Sequence, residues 1–241
     1  MAVALVTGGA RGIGRAIARR LAADGAEVVV NYRQNAAAAA DVVAEIERAG
    51  GRAVAVAGDI ADPERMTRLF DFAIDTFGGL DILVANAGTA RFASLAETTP
   101  ADFDRQFAVN ARGTFLALRE AARRLRDNGR IVVVSSGVTV TARPGTGAYG
   151  AGKMAAEHLV RVAAGELGAR GITVNSVRPG ATRTDALIER LGADAVARMP
   201  VTAPLGRIGE PADIAAVVAF LVSADGAWIT GQHLNAAGGA Y

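Results

Sequence analysis

A chain of 241 residues, 51% of them hydrophobic, is long enough for one large domain or two small ones around a substantial core. It has no cysteine and two histidines, His158 and His233, which excludes disulfides, thiolate nucleophiles and zinc–thiolate sites and argues against a histidine-rich metal centre. The formal net charge of +2 is too small to point to a nucleic-acid partner.

The opening MAVALVTGG has no basic stretch ahead of its apolar run, which stops at Gly8. It reads as a first strand and not as a signal peptide. No run approaches the length that a bilayer requires, so the expectation is a soluble, cytoplasmic protein with no membrane partner.

Short β-branched runs predict strands at 3–7, 27–31, 53–57, 81–85, 130–135, 173–177 and 232–235. Helical patterns fall between them, near 13–24, 36–49, 63–77, 101–126, 148–167 and 211–223. Most of the strands are nearly continuous apolar runs, as in a sheet covered on both faces. The expectation is an α/β fold: one domain spanning 1–241, a doubly wound Rossmann sheet of about seven parallel strands with helices on both faces. Two longer loops, 137–147 and 180–209 (the second with a short helix inside), follow the carboxyl ends of strands, where open α/β sheets bind ligands. They are read as the substrate walls.

Directly after the first strand comes TGGARGIG, residues 7–14, opening a helix. Glycines there let the backbone turn tightly and approach a pyrophosphate seated on the helix N-terminus. The second strand ends V-V-V-N-Tyr32-Arg33, with no acid for ribose hydroxyls. Arg33 is either a cationic fork for a 2′-phosphate, with Arg11 as a second, or a solvated surface residue. Asp59 and Ile60 end the third strand, where a carboxylate can meet an adenine amino group, and Asn86-Ala87-Gly88 ends the fourth.

Of the 26 basic residues, 25 are arginine, and Lys153 is the only lysine. It stands four residues after Tyr149 in YGAGK, hence on the same helix face. A cation there would lower the tyrosine pKa from near 10 and make the phenol a usable proton exchanger. Ser136, thirteen residues before Tyr149 and at the end of the fifth strand, can hold a substrate oxygen beside that phenol. Asn110 lies inside a helical stretch that does not favour asparagine. It is either a helix-bending residue or an anchor for a proton-relay water.

TGGARGIG, NAG, the Val-Asn110 motif, Ser136, YGAGK, VNSVRPG and PLGRIGEPADIA…ITGQ, in that order, resemble the short-chain dehydrogenase/reductase family over the whole chain. The 3-oxoacyl-[acyl-carrier-protein] reductases are the nearest subgroup and the polyhydroxynaphthalene-type ketoreductases the next. The resemblance implies a catalytic tetrad of Asn110, Ser136, Tyr149 and Lys153, no metal, and an NADP(H) site. Thr7, Gly8, Arg11, Gly12, Ile13 and Gly14 would take the pyrophosphate side and Arg33 the 2′-phosphate. Asp59 and Ile60 would meet the adenine, on which Tyr32 could stack, and Asn86, Ala87 and Gly88 would line the adenosine ribose. Tyr149 and Lys153 would also touch the cofactor, and Pro179, Gly180, Thr182 and Thr184 would hold the nicotinamide carboxamide. It further implies a homotetramer and NADPH-dependent reduction of a ketone. A 3-oxoacyl thioester is the first substrate reading and a cyclic or aromatic polyketide the alternative, with a non-catalytic NADP-binding regulator as a remote third. An acyl carrier protein would dock on two arginines; Arg170 matches one, while Asp127, with Arg126 beside it, holds the other position.

Overall fold

The computed structural model describes residues 1–197 and 203–241, and Met199 of the second substrate wall lies outside them. Among the described residues seven strands form one sheet in the order β3-β2-β1-β4-β5-β6-β7, every adjacent pair parallel. They are β1 (Val3–Val6), β2 (Glu27–Tyr32), β3 (Arg52–Ala57), β4 (Ile82–Ala85), β5 (Arg130–Val134), β6 (Thr173–Pro179) and β7 (His233–Ala236). The predicted sheet is therefore present, with ends shifted by a residue or two.

Alternation within the apolar strands explains the two layers. Val3 and Leu5 of β1 point into one core with Leu83, Ile131 and Val133; Ala4 and Val6 point into the other with Ile82, Val84 and Val132. The first core is closed by α3 (Pro63–Phe77), α5 (Gly113–Arg124) and α7 (Gly147–Leu167). The second is closed by α1 (Gly12–Ala23), α2 (Ala36–Arg48) and α10 (Pro211–Val222). Phe70, Leu5 and Leu83 are fully buried, each worth about 1.5–3 kcal/mol relative to exposure. No helix among the described residues is long and apolar enough to cross a membrane.

Three elements differ from the sequence expectation. The helix expected over 101–126 is interrupted: α4 (Pro100–Phe107) passes through a π-helical turn at Ala108–Arg112 into α5. Asn110 sits inside that turn, which widens the helix where its side chain must point inward. The loop over 137–147 contains the four-residue α6 (Val138–Thr141), and the described residues of the 180–209 segment hold two short helices, α8 (Asp185–Leu191) and α9 (Ala193–Ala197), instead of one.

Connections leave β1 and β4 toward opposite edges of the sheet, so a crevice opens at the carboxyl ends of these two strands. The candidate active site lies around that crevice.

Candidate active site

The β1–α1 turn is built by close backbone approach. Gly8 and Gly12 adopt φ of +63° and +53°, which side chains with a Cβ resist. A Cβ on Gly14 would collide with the carbonyl oxygen of Gly8 and with Asn86 Nδ2, so the third glycine is required by packing of the helix start. The crevice walls are fastened across the strands: Thr7 Oγ1 accepts from Asn86 N at 3.0 Å and Ala87 N at 3.1 Å, and Asn86 Nδ2 donates to Thr7 O and Gly8 O. Buried Asn31, which sequence reasoning passed over, accepts from Gly8 N at 3.2 Å and donates to Gly58 O at 3.1 Å. An asparagine inside an apolar strand was the available signal.

Arg11 precedes α1 and supplies no side-chain cap. The cap comes from far along the chain. Gly12 N donates to Asp185 Oδ2 at 3.1 Å, and Arg11 Nη1 pairs with Glu189 at 3.1 Å. Arg11 is thus turned toward α8, with its guanidinium engaged by Glu189. Arg33 and Asp59 face each other at 3.9 Å beyond the ends of β2 and β3. Tyr32 packs against the α1–α2 side, while the Ile60 side chain is buried against Gly113.

On the opposite wall, Gly180 N donates to Ala236 O at 3.0 Å, and a Cβ there would lie 2.9 Å from Ala237. Pro179 ends β6; Thr182 is buried, donates to Gly180 O and bridges to Gly209. Thr184 caps α8 by accepting from Leu187 N, and its side chain stands beside Gly12. The two ends of the groove therefore meet at Gly12, Thr184 and Asp185.

Ser136, Tyr149, Lys153 and Asn110 converge where β5, α7 and the π-turn come together. Ser136 stands beside the Tyr149 phenol and works to lower its pKa, but burial outweighs it and pushes Tyr149 above its ordinary value. Lys153 donates to Val134 O at 2.7 Å from a buried position, and burial lowers it to about 8 against the pull of Glu157. In this arrangement burial outweighs the lowering influences on Tyr149, and the Lys153 ammonium gives one of its donors to the sheet. A Cβ on Gly88 would lie 2.9 Å from Asn110 Oδ1 and 3.2 Å from Lys153 Nζ, so the glycine lets these polar groups reach the crevice floor. Asn110 is fully buried and clamps Thr89 at both ends, Nδ2 donating to its carbonyl at 2.7 Å and Oδ1 accepting from its amide at 3.1 Å.

Phe92, in the loop after β4, was not foreseen. Its ring stands edge-on to Tyr149 with centroids 5.7 Å apart. Ala93 N donates to Gly145 O at 3.0 Å, joining that loop to the 137–147 wall. The apolar surface beside the phenol thus has a third contributor. Both expected docking arginines are engaged elsewhere. Arg170 donates to Ala122 O, Leu125 O and Asp127, and Arg126 donates to Gly78 O and Asp81.

A family model described as enoyl-(acyl carrier protein) reductase matches residues 8–241. The short chain dehydrogenase/reductase AacuN of Aspergillus aculeatus is 44% identical over 250 residues, covering 99% of this chain and 95% of the relative. The versicolorin reductase stcU of Emericella nidulans is 42% identical, covering 99% and 95%. The crystal structure of the angucycline C-6 ketoreductase LanV with bound NADP superposes with a TM-score of 0.92 at 42% identity, covering 99% and 95%.

Proposed function

The chain belongs to the short-chain dehydrogenase/reductase family and is an oxidoreductase acting between C=O and CH–OH groups, and we propose that it uses NADPH to reduce the ketone of a free cyclic or aromatic polyketide-type substrate. The observation that carries this reading is the Tyr149 phenol beside Ser136, on the same helix as buried Lys153 and faced edge-on by the Phe92 ring.

The groove fits an adenine dinucleotide phosphate: glycine-built space at residues 8, 12 and 14, a helix N-terminus, and Arg33 where an acid is absent. Gly8, Arg11, Gly12, Ile13 and Gly14 would hold the pyrophosphate side, with Thr7, Asn86, Ala87 and Gly88 shaping the wall along the ribose. Arg33 would take the 2′-phosphate, Tyr32, Asp59 and the Ile60 backbone the adenine, and Pro179, Gly180, Thr182 and Thr184 the nicotinamide end. NADPH held there would supply a hydride to the carbonyl carbon.

The chain's own residues handle the oxygen. Ser136 and Tyr149 hydrogen-bond the ketone oxygen, and Tyr149 gives it a proton as negative charge develops there. One hydride and one proton convert the ketone to the alcohol. Lys153 has three donors, of which one goes to Val134; its charge on the crevice floor favours the phenolate that remains. Asn110 holds the backbone at Thr89 so that the floor keeps its shape.

Two observations favour a free ring ketone over a carrier-linked 3-oxoacyl thioester. Arg126 and Arg170 are committed to backbone carbonyls and to Asp81 and Asp127, and the relatives include a versicolorin reductase and an angucycline ketoreductase. The exposed apolar residues Phe115 on α5 and Met154 and Val162 on α7 support self-association, in keeping with the expected homotetramer. The test is turnover of NADPH with phenolic bicyclic ketones, free acetoacetyl thioesters and carrier-linked 3-oxoacyl thioesters. Higher kcat/KM on free ring ketones is expected; a preference for the carrier-linked substrate would transfer the assignment to 3-oxoacyl reduction.

A further inference from the structure

Glu157, one turn beyond Lys153 on α7, is only 2% exposed and lies outside both the tetrad and the groove. A buried carboxylate is costly unless it is paired. This one accepts from three elements. Arg178 of β6 grips it with Nε and Nη2 at 2.8 and 2.7 Å, Ser135 Oγ donates to Oε1 at 2.6 Å, and Thr139 Oγ1 of α6 lies 2.9 Å from the same oxygen. Burial works to raise Glu157, but the bonds from Arg178, Ser135 and Thr139 outweigh it and keep the carboxyl below its usual range.

Those partners bracket Ser136. Its backbone is fastened to β6, with Ser135 N donating to Val177 O at 2.8 Å and Gly137 N to Pro179 O at 3.1 Å. Tyr149, however, is carried by α7. The Glu157 carboxylate links that helix to the side chains on either side of Ser136. Thr139 Oγ1 is also 2.9 Å from Ser136 O, so its single proton lies between the serine's carbonyl and Glu157. Arg178 extends the link, since its carbonyl accepts from the Tyr241 hydroxyl at 2.9 Å and the Tyr241 ring fills the space over Gly137. An apolar residue at 157 would avoid the desolvation cost; the carboxylate instead supplies direction.

We propose that Glu157 is a positioning residue for the reduction: it locks the Ser136 turn onto α7 and holds Ser136 in register with Tyr149. The proposal rests on the ketoreductase reading above. A displacement of about 1 Å between reacting groups can cost on the order of a hundredfold in rate.

The test uses Glu157→Gln, the double variant Glu157→Leu/Arg178→Leu and the milder Thr139→Val. The double variant removes both buried charges, so it keeps a folded comparison available if Glu157→Gln unfolds. Steady-state kinetics, NADPH affinity by fluorescence titration and hydrogen exchange at amides 137–142 of the cofactor-free protein are compared with wild type. The expected result for Glu157→Gln and the double variant is a kcat reduced roughly ten- to hundredfold. Ketone KM and NADPH affinity should stay within about threefold, exchange at 137–142 should be faster, and Thr139→Val should show a smaller fall in kcat. A folded variant with kcat within about threefold of wild type and unchanged exchange overturns the proposal. If wild type reduces no ketone, the functional reading fails, while the exchange measurement still decides whether Glu157 holds the turn.

Discussion

Lys153 donates its ammonium to the main-chain carbonyl of Val134 at 2.7 Å, from a position that leaves the residue 5% exposed. Burial lowers it to about 8, against 10.5 for a free lysine, with Glu157 opposing the shift. Between those two values the unfolded chain binds a proton that the folded chain has released, so stability rises with pH across that window. Below about 8 the cost of the buried charge is fully present, on the order of 3 kcal/mol. Lys153→Met is expected to melt above wild type at pH 7 while losing activity, with the difference shrinking as the pH approaches ten. A variant that melts at or below wild type at pH 7 would contradict the buried-charge account.

Asp185 and Glu189 occupy donors that a dinucleotide phosphate would use, Gly12 N and the Arg11 guanidinium. Carboxylates at an exposed helix N-terminus are worth about 0.3–1 kcal/mol each. Asp185→Asn/Glu189→Gln is therefore expected to tighten NADPH binding, on the order of tenfold at low salt, with the gain fading at high salt. Fluorescence titration checks this; weaker binding in the variant would mean that α8 clasps the bound cofactor and does not compete with it.

Arg33 is solvent-exposed and 3.9 Å from Asp59, so a 2′-phosphate would have to win it from that carboxylate. Charge-assisted contacts are worth about 1.5–3 kcal/mol, and exposure favours the lower end, a preference of about tenfold for NADPH over NADH. Tyr32→Asp with Arg33→Ala should reverse the preference by removing attraction and adding repulsion. The comparison is kcat/KM for the two cofactors, and a wild type that uses NADH as well as NADPH would reduce Arg33 to a surface residue.

Much of this was legible in the residues themselves. Val3–Val6 and Ile82–Ala85 are apolar at every position because both faces of the sheet are covered, and that alone places them at its centre. Tyr149 and Lys153 were readable because their spacing is set by one helix. The π-turn was not, since the apolar pattern runs unbroken through 101–126 and only the misplaced Asn110 hints at it. Glu157 and Arg178 form their pair across 21 residues, and Arg11 meets Glu189 across 178, separations at which no local pattern signals contact. Phe92 was hidden for the same reason: its partner ring belongs to α7.

Arg170 reaches three acceptors around the end of α5, two of them backbone carbonyls. Arg170→Ala is expected to lower stability by about 1–3 kcal/mol, through carbonyls left unpaired. Turnover of a free ketone per folded molecule should not change. Denaturant midpoints and kcat/KM separate the two effects. Intact stability with a selective loss of carrier-linked turnover would instead make Arg170 a docking residue.

The assignment of Tyr149 as proton donor in an NADPH-dependent reduction is tested most directly by comparing wild type with Tyr149→Phe. The change deletes the phenolic hydroxyl beside Ser136 and leaves the ring that packs against Phe92. Loss of a general acid costs on the order of 10²–10⁴ in rate. Ketone-dependent consumption of NADPH should therefore fall by that factor, with NADPH affinity within about threefold of wild type. Consumption within about threefold of wild type, at equal NADPH affinity, would contradict the account.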